Sequence, residues 1–309
     1  MRNSFVSALT EAALRDSSIV LITGDLGYGV VDDFAQKLPR QFVNVGVAEQ
    51  NMIGVASGMA QSGFRPFVYS IANFSTLRCL EQIRNDVCYH DLNVTVVSVG
   101  AGLAYGTLGY SHFAVEDIAV MRAMPGLRIL SPADPVEANA CVALILESQG
   151  PTYVRLGKGG DPIVHRSSPV AFPRPTTLRV GRDLSLVSTG SAVGLCLAAS
   201  DLLAERGHEV AVTSVPQVAP LDAAWVDGLR VGPPVVIVEE HRLHGGFGAS
   251  VVEELSNRGD LIPVLRIGLP GTKLSDVGSP QYLRNVYGLS PIAIASACEE
   301  LLTRTERQS

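Results

Sequence analysis

Short apolar runs rich in β-branched residues alternate with longer helical stretches along almost the whole chain. No other feature constrains the fold as much. Repeated strand–helix units carry the chain back to the same sheet edge each time, which gives parallel sheets covered by helices. In the first half the spacing predicts helix over 4–16, strand 19–23, strand 42–45, helix 49–61, strand 66–69 and helix 75–89. Strand 94–99, helix 115–122, strand 128–131, helix 135–148 and strand 152–155 follow. The stretch 157–177 holds Gly157, Gly159, Gly160, Pro162, Pro169, Pro173 and Pro175 with little periodicity, so it reads as a join. A second alternation succeeds it: strand 184–188, helix 192–206, strands 209–215 and 235–239, helix 246–257 and strand 264–267. The expected class is α/β, with two open, largely parallel sheet domains and flanking helices. The expected division is a first domain over 1–160, a linker over 161–177 and a smaller domain over 178–309.

A chain of 309 residues is long enough for two cores. Its hydrophobic content of 47% comes without any apolar run of about 18 residues, so no membrane span is expected. A net charge of −6 with scattered basic residues argues against a nucleic-acid partner. The start, M-R-N-S-F-V-S-A-L-T-E, is too polar and too soon acidic for a signal peptide. Five cysteines without C-x-x-C spacing or clustered histidines read as reduced core residues of a cytoplasmic protein, with no metal site expected in this chain.

Residues 45–52 read V-G-V-A-E-Q-N-M and put one carboxylate, Glu49, where a strand end runs into a helix rich in Gly and Ala. A carboxylate that leaves water costs several kcal/mol unless it is paired or protonated, so burial there would mean a partner or a task. The ordinary alternative is a first-turn Glu facing solvent and complementing the helix dipole. Two further stretches stand out: N-F-S-T-L-R-C-L-E-Q-I-R-N at 73–85, and S-H-F-A-V-E-D-I-A-V-M-R-A-M-P-G-L at 111–127. These three, in this order, make the first half similar to the pyrimidine-binding domain of the transketolase family. The second half, with V-E-E-H-R-L-H-G-G-F-G-A-S at 238–250, resembles the carboxy-terminal domain of the same enzymes.

The resemblance implies thiamine diphosphate as cofactor, with Mg²⁺ or Ca²⁺. Glu49 would be the family glutamate that activates it by hydrogen-bonding the pyrimidine N1′. Phe74 falls at the aromatic that stacks on the pyrimidine, with Arg78 one helical turn later. His112 falls at the S-H-Q or T-H-Q histidine that contacts substrate oxygens. Arg2 and Arg155 match arginines that hold a sugar phosphate, and guanidinium forks suit that group. Each has a plainer reading: core packing for Phe74, a surface ion pair for Arg78, a surface or satisfied core residue for His112, interdomain salt bridges for Arg2 and Arg155.

The similarity covers only the latter half of a full-length transketolase. The family's G-D-G motif with a downstream Asn, which serves the diphosphate and metal, is missing, and Gly24-Asp25-Leu26-Gly27 reads as a structural turn. A second polypeptide, an amino-terminal transketolase subunit, is therefore expected to supply the diphosphate domain and the metal ligands, with the cofactor across the interface and this chain dimerising within an A2B2 assembly.

Leu108 stands where the family has an Asp that contacts a donor hydroxyl, Phe113 stands at the following Gln, and Gly100 lies near a family histidine. Those departures point to a modified, deoxygenated or non-phosphorylated substrate. The expected function is two-carbon ketol transfer by a split transketolase. The alternatives are the beta subunit of a 2-oxo acid dehydrogenase decarboxylating component and a non-catalytic scaffold. The place of His241 and His244 is left open.

Overall fold

The computed structural model describes residues 1–167, 169, 171–259 and 262–306. Ser168 and Val170 of the expected linker, and the last three residues of the expected second domain, lie outside the described residues. Two open sheets organise the chain, as the alternation predicts. The first contains β1 (Ile19–Thr23), β2 (Phe42–Asn44), β3 (Arg65–Ile71), β4 (Thr95–Val99), β5 (Arg128–Leu130) and β6 (Thr152–Leu156). The second contains β7 (Thr176–Arg179), β8 (Leu184–Ser188), β9 (Val210–Ser214), β11 (Val235–Arg242) and β12 (Val264–Leu269), while β10 (Gln217–Ala219) departs to the first sheet. Their orders are β10-β5-β6-β4-β3-β1-β2 and β12-β11-β8-β9-β7. All pairings are parallel except β10 with β5 and β7 with β9.

Every residue of β1, β4 and β6 is buried, as expected for parallel strands covered on both faces. On one face the helices Arg2–Ala13 and Pro135–Glu147 bury Phe5, Leu9, Val142 and Ile145. The second of these helices starts at Asp134, whose carboxylate accepts from the Val136 and Glu137 amides, with Pro135 in the first turn. The other face shares its core with the second sheet: Met52, Ile118 and Ile129 belong to one buried cluster with Val187, Ile237 and Phe247. Each such side chain contributes about 1.5–3 kcal/mol by leaving water, so the two sheets are fastened by an apolar interface.

Three local readings change. The helix expected over 75–89 is broken into Ala72–Ser75, a 3-10 turn Leu77–Cys79, Leu80–Gln82 and a π-helical stretch Ile83–Cys88. The cause is local: Ser75 and Thr76 hydroxyls return to the Ile71 and Ala72 carbonyls and compete with the helical ladder. Thr176 and Thr177, read as linker, open β7 as an antiparallel edge. Helices Asp32–Lys37, Ala223–Leu229, Pro280–Val286 and Pro291–Glu306 were not predicted. All five cysteines are buried and unpaired. Among the described residues no helix is long and apolar enough to cross a membrane.

Candidate active site

Parallel sheets bring the ends of their strands and the starts of their helices to one edge, where open α/β folds bind ligands. Glu49 is the first residue of the helix Glu49–Gln61, directly after β2. It is 2% exposed. Gly24, at the end of β1, lies against it: a Cβ there would stand 3.6 Å from Glu49 Cγ and 3.3 Å from the Gly46 carbonyl. The next residues form a polar turn, with Asp25 at φ 57° and Asn44 accepting from its amide at 3.0 Å and donating to its carboxylate at 3.2 Å.

The partner of Glu49 is Arg78, whose Nη1 donates to Oε2 at 2.6 Å. Arg78 itself is 44% exposed. Its guanidinium carbon sits 4.4 Å from the centre of the Phe74 ring, and the His112 ring meets that same Phe74 edge-on at 5.3 Å. Asn73 adds a hydrogen bond to the Ser111 carbonyl at 3.1 Å. These contacts close one side of a cavity of about 470 Å³ lined by Asn73, Phe74, Leu77, Arg78, Tyr110, Ser111 and Glu116. Four of the expected site residues, Glu49, Phe74, Arg78 and His112, are thus brought together from segments 25 to 63 positions apart in sequence.

The other three are not part of that group. Arg2 lines a second cavity of about 710 Å³, with Ala104, Lys158, Asp161, Ser191 and Arg284. Tyr105 connects the two places: its ring lies 6.2 Å from His112 and 5.0 Å from the Lys158 ammonium. Burial raises the Tyr105 phenol above its ordinary value, and the nearby Arg2 opposes that shift. The Tyr105 ring also fills the space beside Gly100, where a Cβ would meet it at 2.2 Å.

Arg155 departs from the expected substrate-facing placement. Its side chain is buried, its Nε donates to Asp117 at 2.7 Å, and its Nη2 donates to the carbonyls of Ala114 and Glu240. It lines neither cavity. Leu108 is 54% exposed on the 3-10 turn Gly106–Leu108, outside both linings. Phe113 is fully buried.

Of the histidines left open, His244 is exposed and His241 is fully buried. His241 Nδ1 faces the Arg242 carbonyl at 2.7 Å and Nε2 faces the Ala119 amide at 3.4 Å. Burial lowers its pKa, and a neutral ring with the proton on Nδ1 satisfies both contacts. Tyr110 and Glu116, which line the cavity beside Phe74, and Tyr105, whose ring lies beside His112, were not among the expected site residues. Tyr110 and Glu116 sit within six residues of His112, and proximity along the loop was the available signal.

A buried carboxylate beside an aromatic face suits the polar edge and flat face of an aminopyrimidine. Among the described residues no group of three or more His, Cys, Asp or Glu side chains is placed to hold a metal ion. The fold defines a two-sheet α/β protein, with the Glu49, Phe74, Arg78 and His112 group at the strand-end edge of its first sheet as its candidate site. The chain belongs to the transketolase family: residues 1–160 match the transketolase pyrimidine-binding domain and residues 176–294 match the transketolase C-terminal domain. It is 35% identical to a subunit of the apulose-4-phosphate transketolase of Phocaeicola vulgatus, over 98% of this chain and 97% of that one. It is 32% identical to a subunit of the 6-deoxy-6-sulfo-D-fructose transketolase of a Clostridium species, over 98% and 95%. A solved split-gene transketolase, described as an inactive beta4 tetramer, superimposes with a TM-score of 0.87 at 35% identity, covering 98% of this chain and 97% of that one.

Proposed function

We propose that this chain is the carboxy-terminal subunit of a split, thiamine diphosphate-dependent transketolase and carries out two-carbon ketol transfer with an amino-terminal partner. The observation that carries the reading is Glu49: a buried acid at a helix start, paired with Arg78, which lines a cavity with Phe74. Relatives covered nearly end to end are themselves named as transketolase subunits, and a solved relative made of one subunit type is described as inactive. Both facts support a requirement for the partner.

Thiamine diphosphate supplies the carbanion chemistry when bound. In this reading Glu49 would hold the pyrimidine N1′ by a shared-proton hydrogen bond, and Phe74 would cover the ring face. Arg78 keeps the Glu49 carboxylate oriented from the solvent side. His112, at the edge of Phe74, faces the substrate oxygens. Arg2, with Lys158 beside the same cavity, provides charge for an anionic end of the substrate. Arg155 is left out of that group because it lines neither cavity and its Nε and Nη2 are held by Asp117 and by the Ala114 and Glu240 carbonyls. The chain lacks G-D-G, so the diphosphate and its Mg²⁺ or Ca²⁺ are assigned to the partner, in a cytoplasmic A2B2 assembly.

The lack of the family Asp at Leu108, although that side chain lies outside both cavities, supports a non-standard ketose. The names of the relatives, with apulose-4-phosphate and 6-deoxy-6-sulfo-D-fructose among them, support the same direction. The test is reconstitution with the partner, thiamine diphosphate and Mg²⁺. Turnover of a ketose with an aldehyde acceptor supports the reading; turnover of pyruvate with a lipoyl carrier instead moves the chain to the 2-oxo acid dehydrogenase class. Tight cofactor binding by the isolated chain would sink the division of labour.

A further inference from the structure

The loop that carries Tyr105, Tyr110 and His112 is gripped from the second domain by the end of β11. Glu240 is 3% exposed, and one of its oxygens accepts from the Leu103 amide at 2.7 Å while the other accepts from Arg284 Nε at 2.6 Å. Arg242 donates to Glu116 at 2.5 Å and to the Tyr110 hydroxyl at 3.3 Å, and Tyr110 also donates to Glu116 at 2.9 Å. The same arginine reaches the carbonyls of Pro270 and Thr272. Between these two residues, His241 faces the Ala119 amide, in the helix that follows the loop. From below, Arg155 joins the loop's Ala114 carbonyl to the Glu240 carbonyl.

The loop is shaped for this contact. Gly102 has φ 62°, and a Cβ there would fall 2.5 Å from Glu240 Oε1. Gly106 is pressed equally closely by the Gly278 carbonyl and Leu283. Two of the residues that Arg242 fixes, Tyr110 and Glu116, line the cavity beside Phe74, and Arg284 lines the second cavity. A charge-assisted bond to a backbone amide holds a segment more tightly than packing alone, and a loss of registry far from the chemistry can cost up to about a hundredfold in rate.

We propose that Glu240 and Arg242 are positioning residues of the substrate site: the second domain sets the place of His112 and the Tyr105–Tyr110 wall over the cofactor cavity, without touching cofactor or substrate. This rests on the loop being the substrate loop of the reading above. It separates substrate binding, which depends on the interdomain grip, from cofactor binding, which depends on Glu49 and Phe74.

The test uses the chain reconstituted with its partner and compares Glu240→Gln and Arg242→Gln with the wild type. The expected result is a KM for the ketose raised about tenfold or more. Thiamine diphosphate affinity should be unchanged, and amide exchange at Leu103 and through 103–112 should be faster, with any fall in melting temperature equal in the presence and absence of cofactor. Wild-type KM in both variants, or a fall in cofactor affinity as large as the rise in KM, overturns the proposal. Glu49→Gln is the separating control. If that variant keeps full turnover, or the wild-type pair turns over no ketose, the functional reading fails, and Leu103 exchange then decides the grip alone: faster in Glu240→Gln supports it, unchanged overturns it.

Discussion

Arg78 donates to the buried carboxylate of Glu49 at 2.6 Å while its guanidinium stacks on Phe74 at 4.4 Å. One cation therefore touches both the acid and the aromatic face assigned to the cofactor, and it does so from a half-exposed position. An arrangement of that kind pairs a buried carboxylate without a second buried cation, whose own desolvation would be costly.

Glu49→Gln keeps the volume and removes the acid. Turnover of the reconstituted enzyme is expected to fall by at least about a hundredfold, the scale of a lost proton-transfer partner. The melting temperature should hold, because Arg78 is half exposed and can be solvated once its partner is neutral. Steady-state kinetics with circular dichroism checks both halves.

Phe74→Leu retains apolar bulk but loses the ring that meets Arg78 and His112. Aromatic contacts of this type contribute about 0.5–1.5 kcal/mol beyond area. Thiamine diphosphate affinity is expected to weaken by up to about tenfold, with kcat at saturating cofactor reduced less. A cofactor titration read by activity and by fluorescence would show it; undiminished affinity would remove Phe74 from the site.

A buried ion cluster outside the site predicts a pH response of stability. His165 lies 3.1 Å from Asp134 and 3.2 Å from Glu137. Burial opposes its charge, but bonds to Asp134 and Glu137 outweigh that and push its pKa up to about 9, from an ordinary value of 6.5. Asp134 is likewise opposed by burial, yet bonds from His165 and from the Glu137, His165 and Val164 amides bring it down to about 2. The raised His165 contributes fully below about 6.5 and loses its contribution as pH rises through about 9. The lowered Asp134 contributes above its ordinary value of 3.8 and loses its contribution as pH falls through about 2. Melting should therefore fall between pH 7 and 10 by the equivalent of up to about 3 kcal/mol, and His165→Asn should flatten that limb. A wild-type curve that is level up to pH 10 would refute the charged clamp.

Leu108→Asp restores a polar side chain at an exposed position, so stability should not change. Relative kcat/KM for an ordinary ketose phosphate is expected to rise about tenfold, from one added hydrogen bond to a donor hydroxyl. No gain would mean that Leu108 does not face the substrate and that specificity lies elsewhere in the loop.

Much of both sheets could be read in the chain because their signals are local. The strands Ile19–Thr23 and Leu184–Ser188 and the start of the helix Glu49–Gln61 fall where the apolar runs and the helical spacing put them. Glu49, Phe74, Arg78 and His112 were singled out through short motifs, each a few residues long, and their side chains meet in the structure. Arg155 shows the limit: its segment was legible, but its donors go to Asp117, Ala114 and Glu240, which no spacing reveals. The break in the helix expected over 75–89 was hidden too, because hydroxyl groups of Ser75 and Thr76 override a pattern of apolar residues that is otherwise helical.

Alternation of strand and helix, taken alone, determined the fold class, the open sheets and the strand-end edge where a ligand site belongs, because side-chain burial repeats with the period of each element. Tertiary structure alone decided that β10 crosses to the first sheet and that Glu240 and Arg242 grip a loop well over a hundred positions earlier in sequence. Hydrogen bonds and ion pairs depend on distances between atoms in space, and those distances exist only once both sheets have packed around their shared apolar core.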